Sequence, residues 1–257
     1  MDLKGKTVII TGASSGIGEA CAHAFAKKGS SLILSARRKD VLEKKALEIK
    51  NTYGIPVETF PLDVRSRKDV SAFAENLAGK KLIPDVLINN AGLARGLSKL
   101  HEGNIDEWEE MIDTNVKGLL FVSRMILPMM VTRNYGHVVN IGSLAGRIVY
   151  PAGNVYNASK FAVEALNQAM NLDLVGTNIR STLIEPGLVK TNFSVVRFSG
   201  DKARADAVYE GVRCLSPADI ASAIIFAVEA PDHVNIQSLL IMPTDQRSPY
   251  VIHREKK

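Results

Sequence analysis

Tyr156 and Lys160, four residues apart in NVYNASKFAV, are the best-placed side chains for chemistry in this 257-residue chain. On a helix that spacing puts both on one face, one turn apart. A free phenol titrates near ~10, and a neighbouring ammonium favours the phenolate and lowers that value. The pair can act as a tuned acid/base, although in isolation such a pair is mostly surface decoration. Ser143, closing NIGS, adds a hydroxyl able to hydrogen-bond a carbonyl oxygen approached by the same tyrosine.

Glycines 12, 16 and 18 in TVIITGASSGIGEA follow an apolar run and open an amphipathic one. Gly12 can make the tight turn, Gly16 can let backbone approach a pyrophosphate, and Gly18 can permit close helix-on-sheet packing, with phosphates at the positive end of the helix. Ser14, Ser15 and Ile17 lie within the same turn and are expected to share its ligand. The spacing is GxxxGxG, which departs from GxGxxG, and the glycines alone also fit a turn without a ligand. The run LINNAG puts Asn90, Ala91 and Gly92 at a strand end, where small residues leave room for a ribose and nicotinamide. Asp63, followed by Val64, can accept from an adenine amino group or cap the next helix.

In LILSARRKD two arginines stand where an NAD-binding protein presents an acid to the ribose hydroxyls. Arg37 and Arg38 could meet nucleic acid, solvent or a single phosphate; their distance from the glycine turn favours a 2′-phosphate and therefore NADP. Arg37 is the first contact, with Ser35 as a small hydrogen-bonding neighbour and Arg38 adding a second bond or stacking on adenine.

These residues need a frame to hold them. Short β-branched runs alternate with amphipathic segments, which predicts βαβ units: an α/β, Rossmann-type, doubly wound, seven-stranded parallel sheet with helices on both faces. The expected strands are 7–11, 31–36, 57–64, 85–90, 137–143, 179–185 and 238–243; the expected helices are 16–28, 39–51, 68–77, 105–130, 155–174 and 217–227, the fourth of them broken near Gly118 and Pro128. A single NAD(P)-binding domain over 1–257 is expected, with a substrate loop at about 187–212 and a C-terminal tail at about 244–257.

A net charge of +5, from 32 Lys and Arg against 27 Asp and Glu spread along the chain, forms no basic patch or nucleic-acid motif, so no nucleic-acid partner is expected. Cys21 and Cys214 make no disulfide framework. The N-terminus does not read as a secretory signal, and the apolar stretch Gly118 to Val131 falls short of a membrane span, so a cytoplasmic protein with no membrane partner is expected. The five histidines are dispersed and suggest no metal site, and Glu109 and Glu110 read as a solvated helix face.

The glycine turn, NNAG, Asn115 within DTNVKG, Ser143, YNASK and the Pro186–Gly187 dipeptide stand in the order found in the short-chain dehydrogenase/reductase superfamily, which the chain resembles from Thr7 to about Thr191. The resemblance implies NAD(P)-dependent carbonyl/alcohol chemistry by Ser143, Tyr156 and Lys160, with Asn115 supporting a proton relay. It also implies cofactor contacts at Tyr156, at Lys160 on the nicotinamide ribose, and at Pro186, Gly187, Val189 and Thr191, and assembly as a homotetramer or homodimer. The segments FSVVRF, HVNI and MPT further resemble the 3-hydroxy acid, serine or allo-threonine dehydrogenase and malonic semialdehyde reductase group. That group implies a small anionic hydroxy acid or semialdehyde substrate. Arg197 is the expected carboxylate partner, with Lys190 as a weaker alternative and Tyr150 and Arg147 bordering the pocket; Glu185 is a candidate for a substrate amino group. A sulfoacetaldehyde reductase, a broad carbonyl reductase and a non-catalytic dinucleotide sensor are the alternatives.

Overall fold

The computed structural model describes residues 1–255. Seven parallel strands, β1 (Thr7–Thr11), β2 (Ser31–Ala36), β3 (Val57–Pro61), β4 (Val86–Asn89), β5 (Gly136–Ile141), β6 (Ile179–Pro186) and β7 (Ser238–Ile241), lie in the order β3-β2-β1-β4-β5-β6-β7. The order reverses between β1 and β4, which opens a crevice at their carboxyl ends, the usual ligand position of such sheets. Both faces are covered, as the continuous apolar strands require. Val8, Ile10, Leu32, Leu34 and Ile88 pack on one face against α1 (Gly16–Lys27), α2 (Lys39–Tyr53) and α9 (Pro217–Glu229). Their alternates Ile9, Ile33, Leu87 and Val138 pack on the other against α3 (Arg67–Gly79), α5 (Leu119–Arg133) and α6 (Asn154–Asp173). This is the alternation of a strand whose successive side chains point to opposite faces.

The predicted break at Pro128 does not occur. From α4 (Ile105–Ile112) the chain passes through a π-helical turn, Asp113–Gly118, into α5, which runs through Pro128 to Arg133. Proline removes one donor and frees the carbonyl of Arg124; both residues are exposed, so that carbonyl lies on the solvent side. The resulting run, Ile105–Arg133, is long and apolar enough for a membrane span, beyond the length expected. Its buried stripe of Leu119, Val122, Ile126 and Met130 is nevertheless spent on the sheet.

The segment after β6 contains two short helices, α7 (Phe193–Arg197) and α8 (Lys202–Ala207), which make the expected substrate loop an ordered cover. The tail folds back on its own chain: Gln246 pairs with Ile252, the Tyr250 hydroxyl reaches the Val149 carbonyl, and the amide of Glu255 donates to Gly211 at 2.8 Å. Residues 256 and 257 of the expected tail lie outside the described residues. Cys21 and Cys214 are both free thiols.

His137 on β5 is fully buried, its Nε2 2.7 Å from Thr182 Oγ1. The Thr182 hydroxyl donates to the Ile236 carbonyl at 2.6 Å, so it accepts from Nε2–H, which fixes the neutral tautomer. Burial, assisted by the Arg180 charge, pushes the imidazole pKa from 6.5 down to about 3. Its contribution to stability is therefore complete above the unfolded value and is lost as pH falls from 6.5 toward 3. We expect His137→Gln to reduce the loss of stability between neutrality and pH ~4 by about 3 kcal/mol, read from urea midpoints; an unchanged pH slope refutes this.

Candidate active site

One cavity of about 1480 Å³ opens over the carboxyl ends of β1, β4, β5 and β6. It exceeds the roughly 300–1,000 Å³ of an ordinary small-ligand pocket and has room for a dinucleotide together with a small substrate. Gly12, Ser14, Ser15, Gly16, Ile17, Arg37, Arg38, Asp63, Val64, Asn90, Ala91 and Gly92 line one part of it. Ser143, Tyr150, Tyr156, Lys160, Pro186, Gly187, Val189, Thr191 and Arg197 line the rest.

The glycine turn fits a pyrophosphate. Gly12 and Gly16 have φ of +65° and +61°, a region that side chains strain to occupy. A Cβ on Gly18 would stand 2.5 Å from the Gly12 carbonyl oxygen, so Gly18 serves the packing of α1 on the turn and does not line the cavity. Asn90 braces the turn by donating to the carbonyls of Thr11 (2.9 Å) and Gly12 (3.2 Å). Ser15 occupies the N-cap of α1 without bonding back to its amides, which suits anion binding at the helix's positive end.

Beside this turn Arg38 Nη2 donates to Ser14 Oγ at 3.2 Å, and Arg37, half exposed, has its Nη1 3.7 Å from Glu110 Oε1. Two guanidinium groups next to the glycine turn fit a 2′-phosphate. Ser35 is not their neighbour in the cavity: it is buried, and its hydroxyl turns back to the Ile10 carbonyl. The Asp63 carboxylate is held on both oxygens by Arg65, which keeps its pKa below the ordinary carboxylate range.

At the other end, the N-terminal turns of α6 bring Tyr156 and Lys160 under the loop that carries Ser143. Lys160 Nζ donates to the Ile141 carbonyl at 2.8 Å and stands 5.9 Å from the Tyr156 ring centroid. Burial lowers its pKa to about 8, leaving mainly ammonium at neutral pH. The expectation that Lys160 would pull the phenol pKa down needs correction. Burial dominates and pushes Tyr156 above its ordinary value; the lowering contributions come from the Ser143 hydrogen bond and the Arg197 charge. Tyr156 is thus a proton holder at neutrality. Ser143 Oγ accepts from the Ala145 amide at 3.1 Å, so its own hydrogen can be directed elsewhere.

Asn115 sits in the π-helical turn but does not line the cavity. Its Oδ1 accepts from the Leu93 amide (2.9 Å) and its Nδ2 donates to the Leu93 carbonyl (2.8 Å) and Ser159 Oγ (3.0 Å). Both amide hydrogens are committed, so the Asn115 side chain braces α6 against the loop after β4.

Arg197, the last residue of α7, donates from Nε to the Gly96 carbonyl (3.0 Å) and from Nη2 to the Tyr150 hydroxyl (2.8 Å). Its guanidinium carbon lies 5.4 Å from the Tyr156 ring centroid, and Phe193 packs on the same ring at 5.6 Å. The alternative cation, Lys190, is exposed and outside the cavity. Glu185 also needs correction: it is fully buried and held by both Arg147 Nε (2.8 Å) and Nη2, and neither member of that pair lines the cavity. The carboxylate is already neutralised and turned away from any substrate amino group.

Sequence reasoning passed over three contributors. Gln246 from the tail accepts from the Leu188 amide at 2.8 Å, Tyr209 bonds Ser194 at 2.7 Å, and Arg95, three residues beyond Gly92, joins α7 to α4. Only Arg95 had a local signal, its closeness to NNAG.

Comparison with known proteins agrees with this geometry. The sequence model of the short chain dehydrogenase family matches residues 6–201. The NADP-dependent 3-hydroxy acid dehydrogenase YdfG of Salmonella typhi is 44% identical over 240 residues, 93% of this chain and 95% of that protein. The NADP-dependent 3-hydroxy acid dehydrogenase of Schizosaccharomyces pombe is 42% identical over 255 residues, 99% and 98% of the two chains. Among solved structures, the closed form of serine dehydrogenase complexed with NADP+ superposes with a TM-score of 0.89 at 40% identity, covering 97% of this chain and all of that one.

Proposed function

The chain belongs to the short-chain dehydrogenase family, and we propose that within it the protein is an NADP-dependent oxidoreductase that interconverts a small 3-hydroxy acid and its carbonyl product. The observation that carries the substrate class is the Arg197 guanidinium beside Tyr156, in a cavity whose other end carries Arg37 and Arg38. Arg197 Nη1 makes no hydrogen bond among the described residues, which leaves a planar donor edge for a carboxylate.

NADPH, when bound, supplies a hydride to the carbonyl carbon. Tyr156, protonated at neutral pH, gives its proton to the carbonyl oxygen, and Ser143 donates a hydrogen bond to the same atom. Lys160 holds a positive charge beneath the phenol, anchored on the Ile141 carbonyl, and the charges of Lys160 and Arg197 together stabilise the phenolate left behind. Ser14, Ser15, Gly16 and Ile17 would hold the pyrophosphate, Arg37 and Arg38 the 2′-phosphate, and Asn90, Ala91, Gly92, Pro186, Gly187, Val189 and Thr191 the nicotinamide half.

Asp63 is the only carboxylate lining the cavity among the described residues, and it lies on the Arg37 side. The amino group of serine or allo-threonine would therefore meet no acid, which puts 3-hydroxypropionate ahead of both as substrate. Exposed Leu120, Phe161, Leu172 and Phe226 offer apolar area for a homodimer or homotetramer, and a cytoplasmic assembly of that kind is part of the same proposal.

Turnover of 3-hydroxypropionate, L-serine, L-allo-threonine, isethionate and a neutral alcohol with NADP tests the reading, with Arg197→Met alongside. The substitution is expected to raise KM for the anionic substrates by roughly 10–100-fold, the loss of one charge-assisted pair, and to leave KM for the neutral alcohol unaffected, while the missing charge beside the phenolate lowers kcat alike for both. Wild-type preference for the neutral alcohol defeats the proposal.

A further inference from the structure

Helix α7 has five residues, too few to hold itself in place, yet it carries the guanidinium nearest Tyr156. Its seat is the short segment after NNAG. The Gly96 amide donates to the Arg197 carbonyl at 2.9 Å, Arg197 Nε returns a bond to the Gly96 carbonyl at 3.0 Å, and Arg95 Nη1 donates to the Val196 carbonyl at 2.8 Å. Two of these bonds reach carbonyls at the helix C-terminus, that of Val196 being shared with the Ser199 amide at 3.2 Å.

Arg95 does not reach across unaided. Its Nε donates to Glu110 Oε2 at 2.6 Å, so the guanidinium fork spans from α4 to α7. Glu110 also faces Arg65 Nη1 at 3.5 Å and Arg37 Nη1 at 3.7 Å. Three guanidinium groups around one carboxylate keep it ionised and fixed, so Glu110 is an anchor, whereas Glu109, expected with it on a solvated helix face, is exposed.

We propose that Arg95, anchored on Glu110, is a positioning residue for substrate recognition: it latches α7 onto the rim of the cavity so that Arg197 faces the acid/base tyrosine. The proposal rests on the reading of Arg197 as the carboxylate partner. Arg95 acts through α7 and touches neither the phenol nor Ser143, so its loss raises KM for anionic substrates and not for neutral ones, while any fall in kcat through the displaced Arg197 charge is shared by both.

The experiment compares Arg95→Met, Arg95→Lys and Arg197→Met in the full chain. Arg95→Met is expected to raise KM for 3-hydroxypropionate roughly tenfold, with the KM values for NADP and a neutral alcohol within about twofold of wild type and any fall in kcat equal for the two substrates. Arg95→Lys, which can reach Glu110 or Val196 but not both, is expected to fall between. Amide hydrogen exchange is expected to quicken at residues 196–200 in Arg95→Met and to stay unchanged in α6. An unaltered KM for the anion, or equal rises for the anion and the neutral alcohol, overturns the latch, and so does unaltered exchange at 196–200. If Arg197→Met fails to distinguish anion from neutral alcohol, the carboxylate reading falls, while the exchange result still decides whether Arg95 holds α7.

Discussion

Tyr156→Phe is expected to lower kcat by about 10²–10⁴-fold while the protein stays folded, the range a positioned acid/base contributes. The ring is buried against Phe193 at 5.6 Å, and phenylalanine keeps that contact, so the melting temperature is expected to stay within a few degrees. What disappears is the proton that burial holds on the phenol beside Ser143 at neutral pH. Ser143 remains able to polarise a carbonyl and Lys160 keeps its bond to Ile141, so residual activity reflects hydride transfer without a proton donor in place. Phenylalanine keeps the ring in place beside the cofactor, so the KM for NADP is expected to change less than threefold. Near-wild-type turnover by a folded Tyr156→Phe protein contradicts the proposed chemistry.

The parts of this site that could be read from sequence are those whose geometry is local. Tyr156 and Lys160 share a helix face because a helix repeats, and Gly12, Gly16 and Gly18 bend because one turn joins one strand to one helix. Strand limits came within a few residues for the same reason: Val8, Ile10 and Ile88 declare one face and Ile9 and Leu87 the other. The misplaced residues are those whose partners lie far along the chain. Glu185 meets Arg147 across 38 positions, Arg95 meets Val196 across 101, and Glu110 collects Arg37, Arg65 and Arg95 from three separate segments. A charged residue viewed alone gives no indication of which distant charge has already claimed it. Burial acts in the same hidden way on Tyr156, where desolvation by the whole fold outweighs the effect of a lysine one turn away. Pro128 shows the converse: a local rule against helix continuation yields because the freed carbonyl of Arg124 lies on the exposed side.

Arg37→Asp combined with Arg38→Leu is expected to reverse the cofactor preference, lowering the ratio of kcat/KM for NADP to that for NAD by at least about 10²-fold. The figure follows from two charge-assisted contacts to one phosphate at roughly 1.5–3 kcal/mol each, taken at the lower end because Arg37 is half exposed and partly screened. Each 1.4 kcal/mol is about a factor of ten. The new acid adds to the effect, since a carboxylate after β2 accepts from both ribose hydroxyls of NAD and repels a 2′-phosphate. Electrostatics around the position sharpen the choice of variant. Arg37 faces Glu110 at 3.7 Å, so an aspartate there would stand near a second carboxylate; Arg65, which already bonds Asp63 and Glu110, limits that repulsion. Arg37→Asp alone is therefore expected to give only part of the shift, with Arg38 keeping its bond to Ser14 and its access to the phosphate. Turnover of the hydroxy acid with saturating NAD should approach that of wild type with NADP, because Ser143, Tyr156 and Lys160 lie at the other end of the cavity. An unchanged cofactor ratio in the double variant would place both arginines outside the phosphate site and assign cofactor choice to the glycine turn.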